Sequence, residues 1–481
     1  MLTIQPLDMV NMGSTEFDSV ELFKHAVLAQ QRGQLVVAAN LYQQLLCIEP
    51  SYFSAWLNLG VLNRKLKRFD IAIGCYQRAL TLKLDDAGTL SNLANVLKDD
   101  NRLDQAINAA YQAIELAPTN VSFRHNYAIA LREAKQFQQA LIQIELCLKQ
   151  QPTDPFLQWD RALILLSMQN YELGWPAFES RWRTGDLPKP NIPSSCQRWR
   201  GESFVGKKLL LLTEQGFGDN IFCARYIEAV CQRGGKVLLQ CKSPLERLFS
   251  ALPVTLVKPD EPQDDVDLYC PLMSLPGIFV NTFSPPAQLQ IPEPSLVKVS
   301  TLLKAGKAQL QVGIIWSGSV TYGDNDKRSI ALIKLLPLLA EFPKVRFYSL
   351  QKGPKEAELF ESGFEVLMPD IGSQLDDFAD TAALLKQLDL LIMTDSAAAH
   401  LAGSINTPIL NLLQYKPGWL YFPEQSTTRW YDSMRLIWQQ QAGDWSHPLD
   451  SVRDILTTLS DQYSPSFTHK DVINSLDRLL S

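Results

Sequence analysis

Three short segments gather the residue types that proton transfer and phosphate chemistry need. The first is Thr213-Glu214-Gln215-Gly216-Phe217-Gly218-Asp219-Asn220. Gly216 and Gly218 allow a tight turn and close approach of a ligand. Asp219 then stands where a helical pattern begins. A carboxylate there can accept the proton of a hydroxyl group, and it can equally serve as a helix cap. The second segment runs from Ser317 to Ser329, SGSVTYGDNDKRS. Its hydroxyls, glycines and the Lys327-Arg328 pair suit a diphosphate, with backbone N–H groups donating and cations neutralising charge; a solvated loop closed by Ser329 as a cap is the plainer alternative. The third is Met393-Thr394-Asp395-Ser396-Ala397-Ala398-Ala399-His400-Leu401-Ala402-Gly403. Small side chains at Ser396, Ala397 and Ala398 leave the first-turn N–H groups of a helix open to an anion. His400 lies one turn further in, where it can meet a ligand or pack as an ordinary core histidine.

Each segment follows a strand pattern. Apolar runs at Lys208–Thr213, Lys236–Gln240 and Val254–Lys258 read as buried parallel strands. Helical patterns at Asp219–Gln232 and Pro244–Leu252 separate them. A second set has strands at Val312–Trp316, Val345–Leu350, Leu390–Thr394 and Pro408–Leu413. Its helices are Ile330–Glu341, Gln374–Gln387 and Ser396–Ile405. Strands alternating with helices predict two doubly wound α/β lobes, residues 199–305 and 306–481, the second carrying C-terminal helices. Ligands in such sheets bind beyond the carboxyl ends of the strands. All three segments lie there. The Pro- and Ser-rich stretch 187–198 reads as a linker.

Residues 19–186 carry a repeat of 34 positions. Registers begin at Ser19, Phe53, Ala87, Val121 and Pro155. Position 8 of each is Ala26, Gly60, Ala94, Ala128 and Ala162. Position 20 is Ala38, Ala72, Ala106, Ala140 and Gly174. Small residues at both places let two helices approach, and Trp56, Leu59, Tyr76, Leu93, Tyr127 and Phe178 fill the spaces between. The period and the small/large code resemble the tetratricopeptide repeat, an α-solenoid whose stacked helix pairs share one core. Trp56-x-x-Leu59-Gly60 is the clearest signature, and Leu84 departs from the usual proline. The fifth unit ends in Gly174-Trp175 and Phe178-Glu179-Ser180-Arg181-Trp182-Arg183. Its tryptophans predict docking onto the following domain rather than a polar cap.

The bulk properties set limits. At 481 residues the chain suggests about three domains. With 45 Lys+Arg against 51 Asp+Glu, its net charge of -6 is wrong for a general nucleic-acid binder, which needs a basic surface. No apolar run approaches the roughly 20 residues of a transmembrane helix, and the first residues lack the pattern of a secretory signal. Eight cysteines, none in a CxxC pair, and five histidines predict a reduced, cytoplasmic protein without a metal site.

Taken together, GxGD after the first strand, the Trp316-Ser317-Gly318 loop with its Lys327-Arg328-Ser329, the turn Ser349–Gly353, Asp377–Asp395 and Ser396–Gly403 resemble the heptosyltransferase type of glycosyltransferase. The likeness covers about Trp199 to Trp445. It implies a GT-B fold, with two Rossmann-like lobes after the α-solenoid. The whole plan resembles bacterial tetratricopeptide-repeat glycosyltransferases and is similar to protein O-GlcNAc transferases. It implies an inverting, metal-independent transfer of a sugar from a nucleotide-diphosphate donor, with no cofactor. Asp219 matches the proposed general base, beside Gln215, Gly216, Gly218 and Asn220 on the acceptor side. Ser317, Lys327, Arg328, Gln351, Asp395, Ser396, Ala397, Ala398 and His400 match donor-binding positions. The acceptor implied is a protein or peptide recruited on the concave face of the repeats, or a saccharide or lipid-linked glycan. A non-catalytic scaffold with a degenerate transferase fold is the competing reading. Asp324 and Asp326 flank Lys327, so its role requires that they point away.

Overall fold

The computed structural model describes residues 18–187, 192–214, 216–282, 284–303, 309–416 and 418–480. The chain divides into two compact units, one ending at Pro152 and the other beginning at Thr153.

Among the described residues, the first unit is four helix pairs. The leading helices begin at Ser19, Phe53, Ala87 and Val121, the positions the register predicts. Asp86 and Asn120 cap two of them, accepting the N–H of Thr89 at 2.8 Å and of Phe123 at 3.1 Å. The small positions act as expected. A β-carbon at Gly60 would stand 2.6 Å from the Tyr76 ring. Ala26, Ala38, Ala72, Ala106, Ala128 and Ala140 are fully buried. The turn inside each pair has a signature the residue types conceal. Gly33, Lys67, Asn101 and Lys135 all take a left-handed φ, and so does Gln169 in the fifth pair. Each turn is closed by an N–H bonded five residues back, as in Arg68 to Asn63 O at 2.8 Å and Arg102 to Leu97 O at 2.8 Å, a Schellman-type stop. One glycine in five was too little to show this period.

The second unit opens with the fifth pair, Pro155–Ser167 and Tyr171–Phe178, followed by a 3-10 turn, Glu179–Arg183. Two parallel sheets of five strands follow. The first holds β1 (Gln197–Arg198), β2 (Lys208–Leu212), β3 (Lys236–Gln240), β4 (Thr255–Val257) and β5 (Leu268–Pro271), in the order β1-β5-β2-β3-β4. The second holds β6 (Leu310–Ile315), β7 (Val345–Ser349), β8 (Leu390–Thr394), β9 (Ile409–Leu413) and β10 (Met434–Trp438), in the order β10-β9-β8-β6-β7. β2, β3, β4, β6, β7, β8 and β9 fall where the strand patterns placed them. β1 corrects the linker assignment, because Gln197 and Arg198 pair with Leu268 and Tyr269. Residues 188–191 of that stretch lie outside the described residues. β5 and β10 had no strand expected. The helix expected over Asp219–Gln232 is two short helices, Phe217–Cys223 and Ile227–Cys231, joined by a 3-10 turn.

The strand order reverses beside β2 in the first sheet and beside β6 in the second. β3 and β4 lie to one side of β2, and β5 returns to the other. β7 lies to one side of β6, and β8 returns to the other. The crevice outside such a reversal is where doubly wound sheets bind ligands. The loops leaving β2, β6 and β8 are the three segments singled out from the sequence. One apolar core spans both lobes, taking in Leu209, Leu211, Phe222 and Leu268 of the first with Leu391, Ala399, Leu401 and Tyr431 of the second, and a separate one, with Val312, Leu336 and Leu456, lies within the second lobe.

Candidate functional site

The turn after β2 is held by its own side chains. Asn220 is buried, takes a hydrogen bond from Thr213 Oγ1 at 2.6 Å and donates to the Gly216 carbonyl at 2.7 Å. It is a staple of the turn. The Gly216 N–H donates to Asp219 Oδ2 at 2.9 Å. Gln215 lies outside the described residues. Asp219 is half-buried. Burial pushes its carboxyl up to about 6, helped by the negative charges of Glu214 and Asp395 and opposed by the Gly216 N–H and by Lys242. The group that holds the turn is therefore also the one whose proton affinity is raised. One carboxylate oxygen holds the turn, and the group's proton affinity is lifted close to neutral pH.

Gly218 brings the lobes together. A β-carbon there would sit 2.8 Å from His400 Cδ2 and 3.3 Å from Ala397 Cα. The helix Phe217–Cys223 thus rests on the start of the helix Ala397–Ser404. His400 is 6% exposed, edge-on to Phe222 with ring centroids 5.9 Å apart, and its Nδ1 lies 3.0 Å from Tyr431 Oη. Burial and the nearby Arg225 guanidinium hold its imidazole down at about 3. His400 is thus neutral and packs between the lobes. The sequence did not show that Phe222 and Tyr431 pack against it.

The loop after β6 separates its two cations. Lys327 Nζ pairs with Asp324 Oδ1 at 3.1 Å. The acidic flank does not point away, which weakens the role expected of Lys327. Arg328 lies flat on Gly318, where a β-carbon would come within 2.5 Å of Nη2. Its Nε donates to Asn325 Oδ1 at 3.1 Å, and it stands 4.4 Å from the Tyr322 ring centroid. Its charge reaches Asp395, whose carboxyl is nonetheless raised by burial. The Tyr421 hydroxyl points to that carboxyl at 3.4 Å. Ser317 is buried, with its Oγ accepting from Asn325 Nδ2 at 3.0 Å and lying 2.9 Å from Ser329 Oγ. Gln351 is buried too. Its Oε1 accepts the N–H groups of Trp316 and Ser317 at 3.1 and 2.9 Å, and its Nε2 donates to the carbonyls of Ser317 and Lys352 at 3.1 and 2.9 Å. An amide saturated in this way braces a loop. Ser317 and Gln351 thus brace the β6 loop with their own hydrogen bonds. Ser396, in extended conformation, precedes the helix with Ala397 and Ala398 in its first turn.

Asp219, Asp395, Arg328 and the Ala397–Ser404 helix start therefore share one place, between the carboxyl ends of the two sheets. Four contributors were not foreseen. Glu214 and Lys242 act on Asp219 from the first lobe. Tyr421 bonds Asp395. Arg225 lies over the rings of Phe222, Tyr431 and Trp430 at 4.6, 4.9 and 5.3 Å. Glu214 was within the singled-out turn, but its partner is 33 residues away in sequence. Among the described residues no group of His, Cys, Asp or Glu could hold a metal ion, and no helix is long and apolar enough to cross a membrane.

The tetratricopeptide repeat model matches residues 23–87 and 91–155. Protein FlbA of Caulobacter vibrioides is 29% identical over 337 residues, which are 62% of this chain and 54% of that protein. The chain thus spans about half the length of this curated relative. Among solved structures, YrrB, described as a tetratricopeptide-repeat protein with an unusual peptide-binding site, is 17% identical with a TM-score of 0.31; the match covers 35% of this chain and 87% of YrrB. PilF of Pseudomonas aeruginosa is 20% identical with a TM-score of 0.32, over 35% of this chain and 78% of its own. The helix pairs of the first unit are tetratricopeptide repeats.

Proposed function

We propose that this chain is a glycosyltransferase of GT-B arrangement, metal-independent and inverting, whose repeats recruit a protein acceptor. The carrying observation is Asp219, a half-buried carboxylate at the chain reversal of the first sheet, lifted to about 6 and facing Asp395 of the second lobe, which Arg328 in turn faces. In this reading Asp219 takes the proton of the acceptor hydroxyl. The freed oxygen attacks the anomeric carbon, and the sugar–phosphate bond breaks with its electron pair leaving on the nucleotide diphosphate. Arg328 and the first-turn amides of Ala397–Ser404 offset that charge. Tetratricopeptide repeats support a protein partner; the donor sugar belongs to the likeness of the α/β half to the heptosyltransferase type.

One observation favours the second reading, a scaffold without chemistry. Gly218 touches Ala397 and His400 directly, so a diphosphate reaches the helix start only if the lobes part. A thermal-shift screen of the whole chain against nucleoside diphosphates and their sugars separates the two. Stabilisation by one nucleotide class, with release of that diphosphate from its sugar, is expected. A melting temperature indifferent to every nucleotide overturns the transferase.

A further inference from the structure

Arg181 follows the fifth helix pair, in the Glu179–Arg183 turn, and each of its N–H groups is engaged. Nε donates to Glu214 Oε2 at 2.8 Å and Nη2 to Glu214 Oε1 at 2.9 Å, a planar fork on one carboxylate. Nη2 also reaches Ser274 Oγ at 3.0 Å, while Nη1 reaches the Phe178 carbonyl at 3.2 Å and Glu179 Oε1 at 3.0 Å. The guanidinium lies against the Phe178 and Trp182 rings at 4.7 and 5.2 Å. Glu214 takes a third hydrogen bond from the Met273 N–H at 2.9 Å. Both side chains of the pair are 3% exposed.

A buried ion pair is a poor device for stability, because desolvation offsets most of the attraction and an apolar pair of the same volume does as well. What this one gives is geometry. It ties the end of the repeat helices to the turn leaving β2, beside the return strand β5, with Met273 and Ser274 as the third corner. Glu214 is also the acidic neighbour that Asp219 has on its own turn. The other groups facing Asp219 are Lys242 after β3, Asp395 after β8 and the Gly216 N–H. None of the sequence patterns marked Arg181.

We propose that Arg181 is a positioning residue: by clamping Glu214 it fixes the Thr213–Asp219 turn and the charge that Asp219 faces. The role matters for transfer only if Asp219 is the base, so the inference rests on that reading, but its test does not use transfer. The full-length chain, labelled with carboxyl-13C aspartate, is titrated by NMR, with Asp219→Asn assigning the signal. Glu214→Gln keeps the shape and removes the charge. It is expected to lower the Asp219 midpoint by on the order of half a pH unit or more. Arg181→Lys keeps the charge and loses the fork, and it is expected to move the midpoint as well. The double variant should then match Glu214→Gln alone, because Arg181 acts through Glu214. An unmoved midpoint in Glu214→Gln or in a folded Arg181→Lys overturns the proposal, as does, when both singles move it, a double variant whose shift is their sum. If Arg181→Lys fails to fold, the Glu214→Gln midpoint decides. A chain that binds no nucleotide sinks the transferase reading and leaves this titration standing; an unmoved midpoint in an active chain sinks the clamp alone.

Discussion

Asp219 holds its turn and, in the proposed transfer, also serves as the base, and pH separates the two duties. Its carboxyl is raised to about 6 in the folded chain, above the roughly 3.9 of an unfolded aspartate. The folded state then holds the proton more tightly, so ionisation costs stability. That cost is absent below about pH 4, grows as pH rises, and is complete above about 6. Asp219→Asn keeps the cap and cannot ionise. Its melting temperature is therefore expected to gain on wild type between pH 4 and 7 and to run parallel above that, and a flat difference across the range would mean that the carboxyl is not raised. If Asp219 is the base, kcat/KM in wild type climbs through about pH 6 and levels off, while Asp219→Asn loses about 10²–10⁴-fold at constant nucleotide affinity. The two cations of the β6 loop are expected to diverge as well. Arg328 faces Asp395, whereas Lys327 is held by Asp324. Arg328→Ala should weaken nucleotide-diphosphate binding by roughly tenfold or more, the loss of one charge-assisted hydrogen bond, with Lys327→Ala within a few-fold of wild type. Equal affinities measured by calorimetry would return the anion site to Lys327 or remove it altogether.

The helix pair that joins the lobes is the element on which the site depends. Phe217–Cys223 rests on Ala397–Ser404 at Gly218, with the backbone of Ala397 and the ring of His400 against the missing side chain. Neither neighbour is a flexible chain end. Gly218→Ala is expected to destabilise by about 1–3 kcal/mol through overpacking, read as a lower melting temperature, and a fully tolerated alanine would mean that the lobes already yield at this contact. Here the sequence was legible in part. Gly218 was marked for close approach, and the approaching object turns out to be a helix. The three loops were legible because strands stop in turn residues, and such loops are where doubly wound sheets bind ligands. Their inner bonding was not, because a polar side chain reads the same whether it faces a ligand or saturates its own loop, as Gln351 and Ser317 do. The leading repeat helices were legible to their first residue, since small residues recur for a steric reason that survives in composition. The left-handed turns at Lys67, Asn101 and Lys135 were hidden, because no single residue type is required there once five-residue-back hydrogen bonds close the turn. β1 and β5 were hidden for another reason. A strand of two residues and one of four carry almost no apolar period.

At the scale of the whole second unit, the fifth helix pair is part of the α/β body, although its sequence belongs to the repeats. Trp175 and Phe178 are buried at 3% and 1% exposure. Trp175 stands edge-on to Trp419 of the second lobe with centroids 4.8 Å apart, and it meets Gly277 of the first lobe, where a β-carbon would lie 3.0 Å from Trp175 Cβ. Tyr171 meets Trp430 at 5.9 Å. Arg181 neutralises Glu214. One short segment thus touches both lobes and supplies the counter-charge for a carboxylate that is otherwise buried alone. Removing it strips two large aromatics, each stabilising by about 2–3 kcal/mol, and leaves Glu214 unpaired at about 3–5 kcal/mol. Against a typical net stability of about 5–15 kcal/mol, that loss is enough to unfold the body. A chain beginning at Thr153 is therefore expected to melt in one cooperative transition, and a chain beginning at Leu187 to be insoluble or to melt without cooperativity. Glu214→Gln in the shorter chain removes the unpaired charge and should recover part of the loss. A cooperative transition in the Leu187 chain, close to that of the Thr153 chain, would show that the pair is an ornament on the lobes, and with it would go the idea that the end of the repeats helps to build the site.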